Sequence, residues 1–72
     1  MAASIVSPVA GQLLRCLVLA GDEVSPDTEV AIVEAMKMHI PVSADRSGRV
    51  ARWLVAEQSL VSEGQPLLVL EG

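Results

Sequence analysis

Apolar positions along this chain come in short runs and in alternation, punctuated by glycine and proline. Val30-Ala31-Ile32-Val33 reads as a buried strand, and Met38-His39-Ile40-Pro41-Val42, apolar at every second position, reads as another. Val, Leu and Ile dominate, so the chain is expected to be all-β. Four strands are expected in each half. In the first they are Ile5–Ser7, Gln12–Leu19, a short piece around Val24, and Val30–Ala35. In the second they are Met38–Ser43, Arg49–Ala56, a short piece around Val61, and Pro66–Glu71.

The two halves repeat. Placing Gly11 on Gly48, an offset of 37 residues, puts Leu13 on Val50, Cys16 on Trp53, Val24 on Val61, Ile32 on Val69 and Glu34 on Glu71. The register runs without a gap from Gly11 to Glu34, and one extra residue is expected before Gly11. Two similar β units imply a quasi-twofold pair sharing one core, because neither could bury its apolar face alone. In the second strand of each half the apolar positions change parity, from Leu13 to Cys16 and Val18 and from Val50 to Trp53 and Val55, as a β-bulge requires. Gly11 and Gly48 read as bends or close approaches. Gly21-Asp22 should close a turn, while its counterpart Gln58-Ser59 lacks the glycine and should differ in shape. Val69 is expected in the core. Pro41 cannot donate to a ladder, so its nitrogen belongs on an edge or facing outward.

Between the two halves lies Glu34-Ala35-Met36-Lys37-Met38. A segment joining two strands this closely should be a tight hairpin, with Met36-Lys37 at the turn and the amine of Lys37, the only lysine, held out in water. Methionine normally fills cores. A pair bracketing an exposed tip therefore reads either as hairpin packing or as a surface for a partner.

This pentapeptide resembles the attachment signature of biotinyl domains, the biotin carboxyl carrier modules of biotin-dependent carboxylases. The likeness extends to Ser7-Pro8-Val9-Ala10-Gly11, Ala20-Gly21-Asp22, Ala44-Asp45-Arg46-Ser47-Gly48 and Gly64-Gln65-Pro66-Leu67, and so covers about Ile5 to Glu71. It implies a flattened barrel-sandwich of two four-stranded antiparallel sheets with internal quasi-twofold symmetry, residues 1–72 forming one carrier domain. There is no room between Gly11 and Val30 for the protruding thumb of the bacterial acetyl-CoA carboxylase carrier, so the domain resembles the thumbless type. The resemblance implies covalent biotin on Lys37, with Met36 and Met38 recognised by partners and Ala35 and Glu34 as further contacts for a biotin protein ligase. Glu34 also fits a solvated strand end, a reading that the matching Glu71 favours. Biotin carboxylase and carboxyltransferase components are the other partners implied. A lipoyl domain shares the fold and the hairpin lysine, but there the lysine is typically flanked by Asp and Ala. A structural barrel-sandwich module, as in membrane-fusion proteins, would need neither the lysine nor the pentapeptide.

Composition narrows the field. The chain has 72 residues, 51% of them hydrophobic, with Trp53 the single aromatic, so the core must be aliphatic. A formal net charge of −4 argues against nucleic acid or an anionic membrane as partner, since both need a basic face. Met1-Ala2-Ala3-Ser4 is unlike a signal peptide, and the run from Leu13 to Ala20 is too short to span a bilayer. One cysteine, Cys16, fits a reducing compartment, and the cytoplasm is expected. Cys16 and Trp53 read as core residues, and the domain is expected to be monomeric. One histidine, one cysteine and no tyrosine are too few groups for an independent enzyme. His39 has no acidic partner at a recognisable spacing, so neither a triad nor a metal site is supported. An ordinary lysine titrates near about 10.4, so roughly four in ten thousand are neutral at pH 7. The enzyme that acylates such an amine must therefore provide for its deprotonation.

Overall fold

The computed structural model describes residues 2–72. Among them the chain forms eight strands: β1 (Ala2–Val6), β2 (Gly11–Cys16), β3 (Glu23–Val24), β4 (Glu29–Ala35), β5 (Met38–Ser43), β6 (Gly48–Trp53), β7 (Leu60–Val61) and β8 (Pro66–Glu71). They build two four-stranded antiparallel sheets, ordered β1-β8-β6-β3 and β5-β4-β2-β7. Each half gives two strands to each sheet, so the halves interlock. Pro41 lies on β5, an edge strand, where its missing N–H costs no ladder bond.

The bulges fall where parity changes, between Leu13 and Arg15 and between Val50 and Arg52. The repeat is more regular than the sequence suggests. Ile5↔Leu68 matches Val42↔Ala31, and Val6↔Pro66 matches Ser43↔Glu29, all at the same offset. The Ser7 amide donates to the Gln65 carbonyl at 2.9 Å as that of Ala44 does to Thr28 at 2.8 Å. No extra residue is needed before Gly11. Ser7 takes the buried place of Ala44, and its hydroxyl is satisfied by donating to the Val9 carbonyl at 2.6 Å.

The loop at Gln58-Ser59 does not differ in shape from its counterpart. Gly21 has φ 96° and Gln58 has φ 76°. Gly21 donates to the Val50 carbonyl at 2.7 Å, and Gln58 to that of Leu13 at 2.6 Å. These turn-to-strand backbone bonds override the side-chain preference. Strands β2 and β6 stop at Cys16 and Trp53, three residues earlier than expected, because the chain then crosses to the other sheet. Carboxylates serve amides on the first crossing: Cys16 donates to Glu57 Oε2 and Leu19 to Asp22 Oδ2, each at 2.8 Å. Gly11 and Gly48 are not bends with positive φ. They are close approaches, since a Cβ on Gly48 would lie 2.9 Å from the Glu71 carbonyl oxygen and one on Gly11 would overlap that of Glu34.

Leu13, Leu67, Leu68 and Leu70 are fully buried with Val30, Val33 and Val50. Each such leucine contributes roughly 1.5–3 kcal/mol by leaving water. Val69 is not in the core; it is half-buried between inward-facing Leu68 and Leu70, as Ile32 is between Ala31 and Val33. Cys16 and Trp53 pack against the core from its rim, and the Trp53 indole N–H donates to the Val18 carbonyl at 2.9 Å.

The strand ends define two poles along a molecule 33 Å long. Gln12↔Glu34 brings the start of β2 to the Met36-Lys37 pole, and Val6↔Pro66 brings the start of β8 there too. Strand β8 then runs to Glu71, paired with Ala2, so both described chain ends lie at the opposite pole.

Candidate functional site

Strands β4 and β5 pair through Ala35↔Met38, leaving Met36 and Lys37 as a two-residue turn. Their φ values, 53° and 65°, make it type I′, whose twist matches the strands it joins. Asn-Gly fits this turn cheaply, whereas left-handed backbone costs an ordinary residue about 1–2 kcal/mol. Two unbranched side chains held there at that cost point to a role beyond folding.

The turn throws its side chains into solvent. Met36 is 94% exposed and Met38 64%, so neither packs the hairpin, and Lys37 is exposed between them. Ala35 is half-buried just below, where a small residue suits the close of the ladder. Lys37 lines neither of two surface depressions at the other pole, which share Ser47, Glu71 and Gly72. Among the described residues no group of three or more His, Cys, Asp or Glu could hold a metal ion.

His39 does have an acidic neighbour. Glu34 lies directly opposite it in the ladder, with Oε2 3.9 Å from His39 Nε2, an ion pair whenever the imidazole is protonated. A two-residue turn closed by Ala35↔Met38 forces the pairing of 34 with 39, so the register of the hairpin held that signal. The row continues across the sheet. Gln12 sits beside Glu34, and Leu60 of β7 beside Gln12. The Gln12 amide is fixed by donating to the Gln58 carbonyl at 3.0 Å.

A family model described as biotin-requiring enzyme, of the biotin/lipoyl type, matches residues 3–70. This chain belongs to the biotin/lipoyl attachment family. Within the family it is 48% identical over 62 residues to a biotin/lipoyl attachment protein of Bacillus subtilis, covering 86% of this chain and 85% of that one. It is 34% identical over 76 residues to the biotin carboxyl carrier protein of acetyl-CoA carboxylase of Pyropia yezoensis, covering 96% of this chain and 48% of the relative. Among solved structures, the urea carboxylase of Kluyveromyces lactis contains a region that superposes with a TM-score of 0.91 at 30% identity, spanning 99% of this chain and 6% of that one. This family member therefore corresponds to about half of the Pyropia yezoensis carrier and a small part of the carboxylase.

Proposed function

We propose that this chain is a biotin carboxyl carrier domain and that Lys37 is its point of biotin attachment. One observation carries the proposal: the only lysine stands on a strained two-residue turn, between two exposed methionines, in a member of the biotin/lipoyl family. Residues 1–72 serve as one carrier module. Its exposed amine fits covalent attachment of the cofactor. A biotin protein ligase supplies biotinyl-adenylate; the Lys37 nitrogen bonds to the acyl carbon, AMP leaves, and the ammonium gives up two protons on becoming an amide.

Once attached, biotin carries a carboxyl group on a ureido nitrogen between biotin carboxylase and carboxyltransferase components. The chain contributes position: a rigid hairpin, and a ladder that holds the turn at one pole. Exposed Met36 and Met38 suit contact with more than one partner surface, because thioether chains adapt to different pockets. Catalysis belongs to the partners, the domain acts as a monomer, and we place it in the cytoplasm.

The test is intact mass after incubation with a biotin protein ligase, biotin and ATP. A single biotin is expected on the wild type and none on Lys37→Arg, with the product more anionic on ion exchange. A chain that refuses biotin and accepts lipoate overturns the proposal in favour of a lipoyl carrier.

A further inference from the structure

The pseudo-twofold axis supplies an internal control for the lysine pole. At the opposite pole the outer row of the other sheet is Glu71, Arg49 and Glu23, and Arg49 Nη2 pairs with Glu23 Oε2 at 3.7 Å. The equivalent row beside the hairpin is Glu34, Gln12 and Leu60. The charged pair is replaced by an amide and a leucine. Leu60 is 81% exposed on an edge strand, so it adds little to the core, and the other half shows that the fold accepts a glutamate there. Neighbouring strands lie about 4.8 Å apart, so Leu60 stands about 10 Å across the sheet from Glu34.

We propose that Leu60, with Gln12 beside it, is a docking surface for the enzyme that acylates Lys37, which meets it with an apolar recess. This rests on the biotin attachment proposed above. The choice of occupant follows from geometry. Acylation takes place on the lysine itself, an ammonium on a short stem, so the ligase must fix the domain in rotation as well as position. A two-residue tip cannot define rotation, whereas a second contact on the far edge strand of the same sheet does. A carboxylase acts on a group at the end of the longer biotinyl arm, which decouples that group from the orientation of the domain.

The experiment uses the full chain with purified biotin protein ligase, biotin and ATP. Leu60→Glu with Gln12→Arg transplants the opposite pole's pair, and Leu60→Ala is the milder variant. Both should keep the wild-type thermal midpoint. The transplant should lower kcat/KM for biotinylation at least tenfold, mainly through KM, and Leu60→Ala about threefold. Chemically biotinylated transplant, by contrast, should be carboxylated by biotin carboxylase within twofold of the wild type. Unchanged ligase kinetics in both variants overturn the inference, as does an equal loss in the carboxylation assay. A wild-type chain that accepts no biotin removes the attachment proposal instead, and shows itself in the control lane.

Discussion

Gln58 holds the left-handed backbone that Gly21 holds in the other half, φ 76° against 96°. Glycine enters that region freely, while a side chain costs about 1–2 kcal/mol. The Gln58 amide offsets part of this by donating to the Leu14 carbonyl at 3.2 Å. Gln58→Ala should therefore destabilise by about 1 kcal/mol, keeping the backbone cost and losing the bond. Gln58→Gly should be neutral to about 1 kcal/mol stabilising. Urea unfolding of the two variants checks the order, and a more stable alanine variant would contradict it.

Close packing at the two bulged strands gives an asymmetric pair of substitutions. A methyl on Gly11 overlaps the Glu34 carbonyl oxygen, whereas one on Gly48 meets that of Glu71 at 2.9 Å. Both displace backbone, and overpacking of this kind costs about 1–3 kcal/mol. Gly11→Ala should lie at the upper end or beyond and lower the thermal midpoint more than Gly48→Ala. Gly11→Ala should also slow biotinylation of Lys37, because it pushes on the strand that carries the hairpin.

Along β8 the cost of truncation should follow facing. Leu68→Ala and Leu70→Ala should each cost about 2–5 kcal/mol. Half-buried Val69→Ala should cost about 1 kcal/mol, and exposed Lys37→Arg less than about 0.5 kcal/mol. Chemical denaturation of the four variants tests the ranking.

Burial, and second the Glu57 carboxylate, push the Cys16 thiol above its ordinary range. Alkylation of the folded chain should set in at higher pH than for free cysteine. Glu57→Gln should bring the onset partly back, since burial is the larger cause. Because the folded state binds this proton more tightly, the associated stability is present below the ordinary thiol pKa and is lost as pH rises through the folded value. Rates of iodoacetamide labelling against pH provide the measurement.

Replacing both Met36 and Met38 by Leu nearly conserves volume, and neither residue packs the hairpin. The fold and biotinylation should survive, while carboxylation of the attached biotin should slow by several-fold through loss of adaptable contacts. Equal rates in both assays would assign the methionines no role that leucine cannot fill.

Much of this fold was legible because its repeat is written in apolar residues. Leu13 with Val50 and Val24 with Val61 announce the offset, and the parity change before Cys16 and Trp53 announces the bulges. Val69 misled because strands near a bulge break alternation, burying Leu67 and Leu68 in succession. Gln58 could not be read, since its side chain disfavours a backbone imposed by Leu13. At the site, the hairpin and the exposed place of Lys37 on its turn followed from strand spacing. The His39–Glu34 pair was available from hairpin register but not from sequence spacing. The exposure of Leu60 was not, because Leu60-Val61 reads as any apolar strand until sheet order makes it an edge.

The pseudo-twofold mate of the Met36-Lys37 turn is the break between Gly72 and the start of β1, at the far pole. A tether joined to either described chain end would grip the domain at the pole farthest from its lysine. The body would then act as a stiff crank up to 33 Å long, swung from one end. Every degree of rotation about such a pivot moves the Lys37 amine farther than a central attachment would. The space that a carried group can search would thus be set by the reach of the domain as well as by its own arm, while the short turn keeps the last link from wandering.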